Sequence, residues 1–167
     1  VVEKGPFVNG STVTIYELDD HLRQTGKSFT ATTDNEGRFE LNNAMAFISP
    51  HIKVSVNGYY FDEITGSLSD APITLDALTD VRNKTQVNAN MLTHLEYKRV
   101  MYLVTKKEIP FQEAKKQAAD ELLACFLIKD KTVIPEEVSI TGNNTSADIL
   151  LAVSSILLRS AYMNNQI

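Results

Sequence analysis

The residue types that most often carry out chemistry are few and scattered in this chain. His21, His51 and His94 have no second His or Cys at the spacing that a zinc site requires. Cys125 is the only cysteine and lies in an apolar helical stretch, so we expect a small buried side chain rather than a nucleophile. The sequence contains no glycine-rich phosphate loop. These patterns predict a protein that is not an enzyme and holds no metal or cofactor.

The aromatic run at Tyr59, Tyr60 and Phe61 is the most suggestive group for binding. Exposed aromatic rings stack on sugars or pack against protein partners. In a strand, Tyr59 and Phe61 would share one face, and the favoured interpretation is that this face belongs to the core or to a domain interface. The alternative is a ligand-binding platform formed by Asn57, Tyr59, Tyr60 and Asp62.

Composition and charge exclude some partner classes. The net charge of -5 argues against nucleic acid and against electrostatic docking on anionic lipid, since both need a basic surface. Apolar residues make up 43% of the chain and charged residues 22%, which is typical of a globular protein. The most apolar stretch, residues 149–158, is half as long as the roughly 20 residues that a membrane span needs.

Short alternating segments bounded by turn signals dominate the first half. Val13 and Ile15 alternate with threonine and tyrosine, and the D-N-E-G segment at 34–37 is a strong turn signal, which we favour over a calcium loop. The candidate strands are residues 12–18, 27–33, 38–41, 52–56, 59–64 and 73–78. Strands of this kind predict an antiparallel β-sandwich over residues 1–82.

Helical spacing replaces this alternation after a polar connector, so we predict an α-helical domain with three main helices over residues 83–167. The helices are expected to begin after Asn90, at Pro110 and at Thr145 or Ser146. The second has a clean apolar stripe, and these charged residues are expected to face away from it or flank it: Glu113, Lys115, Lys116, Asp120 and Glu121. The third is apolar on most sides, which favours a helical domain that continues beyond it.

Several segments resemble a known class of protein. Residues 2–18 resemble the start of Bacteroides-type surface lipoproteins. Residues 25–29, followed by the T-D-x-x-G-x-F pattern at 33–39, resemble a carboxypeptidase-regulatory-like or transthyretin-like module. Residues 90–95 and 112–114 are similar to the helix starts that follow such modules in bacterial extracellular proteins.

This resemblance implies an α+β protein with a transthyretin-like β-sandwich before the helices, located at the surface or in the periplasm of a Gram-negative bacterium. A lipid anchor would require a cysteine upstream of Val1. We expect a structural, adhesive or partner-binding role, with a protein or glycan partner outside the cytoplasm. The alternatives are a carbohydrate-binding module of a glycan-utilisation system and a non-catalytic part of a larger enzyme.

Overall fold

The structure, a computed structural model, describes residues 1–3, 6–40, 47–62, 65–82 and 84–164. Within these ranges, short strands come first and helices follow. The strands are β1 (Val2–Glu3), β2 (Thr12–Leu18), β3 (Gln24–Thr32), β4 (His51–Gly58), β5 (Phe61–Asp62), β6 (Ser67–Leu68), β7 (Ile73–Asp80) and β8 (Ala89–Asn90). The helices are α1 (Met91–Lys107), α2 (Phe111–Cys125) and α3 (Thr145–Asn164), with a 3₁₀ turn at Pro135–Glu137 between the last two.

The main sheet is antiparallel and four-stranded, in the order β3-β2-β4-β7. Val13 lies opposite Val56 and Ile15 lies opposite Val54, so the alternating β-branched residues of neighbouring strands bury the same face. Two smaller ladders flank it: β1 with β8, which is parallel, and β5 with β6, which is antiparallel. An α+β architecture with an antiparallel sheet and three helices is confirmed, whereas the sandwich arrangement stays a prediction.

Two of the predicted strands differ from the structure. Residues 38–40 are not in a strand, and residue 41 lies outside the described residues. Asp34 Oδ1 accepts hydrogen bonds from the backbone N–H groups of Glu36 and Arg38, both at 2.8 Å, which holds this segment in a turn. Gly37 has a φ of +69°, and a Cβ there would lie 2.7 Å from the carbonyl oxygen of Val2. The predicted strand at 59–64 is reduced to β5, with residues 63 and 64 outside the described part.

The helices begin at the predicted places because their start signals are local. Asn90 accepts a hydrogen bond from the Thr93 N–H at 3.0 Å, while the Thr93 hydroxyl accepts one from the Asn90 N–H at 2.9 Å. Glu108, in the left-handed conformation, ends α1, and α2 follows Pro110. None of the described helices is long and apolar enough to cross a membrane.

The sheet and the helices pack together around two clusters of buried apolar side chains. Ile52 and Val54 from β4 belong to the same cluster of buried side chains as Leu92, Leu123 and Leu150 from the three helices. Helix α1 also packs along β7 at the edge of the sheet. The proposed division at residues 82 and 83 stays a prediction, and the apolar contacts run continuously across it.

Cys125 is exposed, so the expectation that it is buried was wrong. It is the last residue of α2, and the chain turns away immediately after it, with Leu127 in the left-handed conformation at a φ of 59°. At this end of the helix, Leu123 and Phe126 contact the core, whereas Ala124 and Cys125 lie on the exposed side.

Candidate functional site

Residues 59–61 pair with residues 6–8 in a small β-ladder, and their side chains alternate between the core and the surface. Phe7 and Tyr60 form an antiparallel bridge. The Val8 N–H donates to the Tyr59 carbonyl oxygen and the Phe61 N–H donates to the Pro6 carbonyl oxygen, both at 2.9 Å. Because successive residues of an extended chain point to opposite sides, this pairing fixes which side chain enters the core.

The inward side of the ladder is tightly packed. Phe7 and Tyr60 are buried, with their ring centroids 6.2 Å apart. Asp62 is also buried, and its Oδ1 accepts a hydrogen bond from the Thr65 N–H at 3.1 Å. Tyr60 and Asp62, both assigned to the predicted ligand platform, are therefore parts of the interior.

The outward side carries four large apolar side chains, which we call the aromatic strip: Val8, Tyr59, Phe61 and Leu68. Their exposed fractions are 39%, 44%, 48% and 53%, respectively. Phe61 and Leu68 are directly paired across β5 and β6, and Val8 lies beside Tyr59 on the neighbouring segment. Contiguous exposed apolar groups of this size are typical of an interaction surface.

The favoured sequence-based interpretation of Tyr59 and Phe61 was wrong in one respect. The two side chains do alternate with Tyr60 as a strand requires, but the exposed face is theirs and the core face belongs to Tyr60. Asn57 is exposed at the end of β4, where its Nδ2 donates to the Thr74 hydroxyl at 2.9 Å. The predicted platform therefore separates into two exposed residues, Asn57 and Tyr59, and two buried ones.

A second unusual region lies in the interior, where α1, α2 and the 3₁₀ turn meet. We call it the buried charged cluster: Lys84, Glu96, Lys115 and Glu136. Lys115 Nζ donates to Glu96 Oε1 and lies 2.9 Å from Glu136 Oε2. Lys84 Nζ donates to Glu136 Oε1 at 3.1 Å. Glu96, Lys115 and Glu136 are only 2%, 7% and 6% exposed, so the expectation that Lys115 faces away from the stripe or flanks it was wrong.

Two asparagine side chains bind the turn beside this cluster. Asn90 Nδ2 donates to the carbonyl oxygens of Pro135 at 2.8 Å and Val138 at 3.0 Å. Asn88 Nδ2 also donates to the Val138 oxygen at 3.0 Å. The two asparagines thus satisfy buried carbonyl groups that bulk water cannot reach.

The protonation equilibria of the cluster are strongly perturbed. Burial raises the pKa of Glu96 from 4.5 to about 7, despite the nearby Lys115 ammonium. Burial alone would lower the pKa of Lys115, but the two carboxylates outweigh it, and the pKa is raised. Burial alone would raise the pKa of Glu136, but Lys115 outweighs it, and the pKa is lowered. Glu96 is therefore the group of this cluster that titrates closest to neutral pH.

Sequence reasoning missed this cluster, although a signal for it exists. Glu96 lies four residues after Leu92 and four before Val100, in the apolar stripe of α1. Lys115 lies four residues after Phe111 and three before Ala118, at the equivalent position of α2. When each of two adjacent helices has a charged residue within its apolar stripe, the pattern indicates a buried ion pair between them.

The other candidate groups give weaker sites. A cleft of about 1170 Å³ lies over Ile52 and Val54 of the sheet. Three of the charged groups that line it are already paired: Arg38 and Glu36 with each other, and Lys84 with Glu136. His94 Nδ1 accepts a hydrogen bond from the Asp76 N–H at 3.1 Å. Within the described ranges, no three His, Cys, Asp or Glu side chains are arranged to hold a metal ion.

The aromatic strip is therefore the strongest candidate for a binding surface. The buried charged cluster is the strongest candidate for a group of residues whose structure depends on pH.

Comparison of the chain with protein families, with curated proteins and with solved structures found no match.

Proposed function

We propose that this chain is a non-enzymatic binding module of the cell envelope, and that it engages a protein partner through the aromatic strip. The observation that carries the proposal is the exposure of Val8, Tyr59, Phe61 and Leu68, which all lie between 39% and 53%. Aromatic side chains flanked by aliphatic ones are the usual centre of protein–protein interfaces, because their burial removes much apolar surface from water.

A protein partner fits the strip better than a glycan does. Sugar binding needs aromatic faces together with polar side chains that bond hydroxyl groups. Here the Asn57 amide donates to Thr74, and Asp62 is buried and accepts from Thr65. Val8 and Leu68, which lie beside the rings on the outward side, are aliphatic. Carbohydrate binding is therefore the alternative that the experiment must separate from protein binding.

The envelope location and the transthyretin-like character of the β-rich half belong to the same proposal. Their support is the resemblance of residues 2–18 to the start of surface lipoproteins, and of residues 25–29 and 33–39 to a transthyretin-like module. In that setting the module is an adhesive or structural unit, and the strip is the surface by which it is attached to its partner.

Photo-crosslinking in cells that express the chain tests the proposal. We expect p-benzoylphenylalanine in place of Tyr59 to give a discrete protein adduct that disappears when Phe61 and Leu68 are changed to Ser. Tyr102, which is 42% exposed on α1, provides the matched control position and should not give this adduct. With the purified partner, Tyr59→Ala should weaken binding about 10- to 30-fold, and Tyr102→Ala less than about twofold.

A glycan array with the purified chain separates the alternative. Glycan binding that is lost in Tyr59→Ala, without a protein adduct at position 59, would replace the protein partner with a carbohydrate. Equal crosslinking at positions 59 and 102 would remove the strip as a binding surface.

A further inference from the structure

The buried charged cluster joins four separate parts of the chain. Helix α1 contributes Glu96, α2 contributes Lys115, the connector contributes Lys84, and the 3₁₀ turn contributes Glu136. Glu137 of the same turn, which is more exposed, lies 3.6 Å from Lys84 Nζ. Charges in the interior are stable only when they are paired, so the turn is held on the two helices by this arrangement.

The two buried carboxylates of the cluster do not share its ammonium groups equally. Of the two lysines, only Lys115 pairs with Glu96, and Lys115 also lies 2.9 Å from Glu136 Oε2. Glu136 has Lys84 as a second partner, and Glu137, whose side chain is 58% exposed, remains in contact with solvent. Within the part of the chain that the structure describes, Glu96 Oε2 is buried and has no hydrogen-bond partner. A proton on Glu96 is best placed on this oxygen, because the ionised carboxylate would leave it without solvent or a donor.

We propose that the cluster is a proton-operated latch, in which Glu96 carries a proton in the closed state and its ionisation loosens the segment 133–138 from α1 and α2. When Glu96 is neutral, Lys115 pairs with Glu136, and Lys84 is shared between Glu136 and Glu137. When Glu96 is ionised, it competes with Glu136 for Lys115, and the two buried carboxylates repel each other. This device is independent of the aromatic strip and adds regulation to the fold.

The direction of the pH effect follows from the pKa of Glu96. This pKa is about 7 in the closed state, and we take the ordinary value of 4.5 for the open state, in which Glu96 is in contact with water. The closed state binds more protons than the open one between these values. The stabilisation of the closed state by the proton on Glu96 is therefore complete below pH 4.5 and is lost as the pH rises through 7. For one group with these two values, the opening equilibrium constant should increase about tenfold between pH 6 and pH 8.

Hydrogen exchange of the whole chain measures this opening directly. After correction for the intrinsic exchange rate, the backbone N–H groups of residues 133, 134 and 136–138 should open about tenfold more at pH 8 than at pH 6. Glu96→Gln, which is neutral and has the same shape, should abolish this difference. Glu121→Gln removes a carboxylate that pairs with Arg99 at the surface of α2, and it should leave the difference intact.

A carboxyl carbon NMR titration of the unaltered chain provides a test that needs no variant. It should show one glutamate with a midpoint near 7, assigned to Glu96. A midpoint near 4.5 would overturn the latch, as would a pH-dependent opening that persists in Glu96→Gln. If Glu96→Gln does not fold, the NMR midpoint and the exchange of the unaltered chain decide the question.

Discussion

The aromatic strip and the buried charged cluster both reverse the usual distribution of side chains. The strip exposes large apolar groups such as Phe61 and Leu68, whereas the cluster buries Glu96 and Lys115. In the cluster, charged partners come from within the chain, and the free energy of desolvation is offset by ion pairs. The strip has apolar surface that a second molecule could cover.

This difference separates the two kinds of effect that a substitution should have. Removing a charge from the cluster leaves its partners unpaired in the interior, so the effect should appear in the free energy of unfolding. Removing a side chain from the strip takes away an already exposed group, so the effect should appear in binding and hardly in stability. Four predictions test this contrast, beginning with the largest expected effect.

Lys115→Met should lower the free energy of unfolding by about 3–5 kcal/mol, because Glu96 and Glu136 would remain buried without their common partner. Urea denaturation at pH 8 measures the change. Lys116→Met is the matched control: this neighbour is exposed and lies 3.7 Å from Asp120, so its loss should change stability by less than about 0.5 kcal/mol. Equal effects of the two substitutions would show that the cluster does not stabilise the fold.

Tyr60→Ala should lower the free energy of unfolding by about 3 kcal/mol, since it leaves a cavity beside Phe7. Tyr59→Ala should lower it by less than about 0.5 kcal/mol, because that ring is already largely in solvent. Paired denaturation curves of the two variants measure the contrast between adjacent residues. The assignment of inward and outward sides would be wrong if Tyr59→Ala proved the more damaging change.

Asn90→Ala should lower the free energy of unfolding by about 1–2 kcal/mol, because it removes the cap of α1 and the donor to the Pro135 carbonyl oxygen. Asn57→Ala removes a similar amide that is exposed, and it should change stability by less than about 0.5 kcal/mol. Thermal unfolding of both variants provides the comparison. If Asn90→Ala left the thermal stability unchanged, this would contradict the role of Asn90 in joining the helix to the turn.

Cys125→Ser should have the smallest effect, less than about 0.5 kcal/mol in the free energy of unfolding, because the thiol is exposed at the end of α2. The same exposure predicts that a maleimide reagent labels Cys125 completely in the native protein, with the serine variant as the unlabelled control. If labelling required denaturant, Cys125 would be buried, as its sequence pattern predicts.

Local signals explain where the sequence predicted the fold well. The strand Thr12–Leu18 has the predicted bounds, because alternating β-branched residues are followed directly by a turn at Asp19 and Asp20. The start of α1 follows from Asn90 and Thr93, which cap the helix within four residues of one another. In contrast, the parallel pairing of β1 with β8 joins Val2 to Ala89 and has no local signal.

The candidate surfaces show the same limit. Alternation alone indicated that Tyr59 and Phe61 share a face, but it could not indicate which face. That choice depends on Phe7, which lies far away in the sequence and fills the core opposite Tyr60. The charged cluster likewise needs Glu96, Lys115 and Glu136 to meet from three separate elements.

By itself, the sequence determined the longer strands and the helices, because caps, prolines and hydrophobic periods act between residues a few positions apart. It specified the α+β order, the start of each helix and the alternation along the aromatic run. Only the tertiary structure decided that Tyr60 lies inside and Tyr59 outside, and that Lys115 is buried between two carboxylates. Burial depends on which distant residues cover a side chain, so a local pattern can indicate a buried position but not the partners that the side chain meets there.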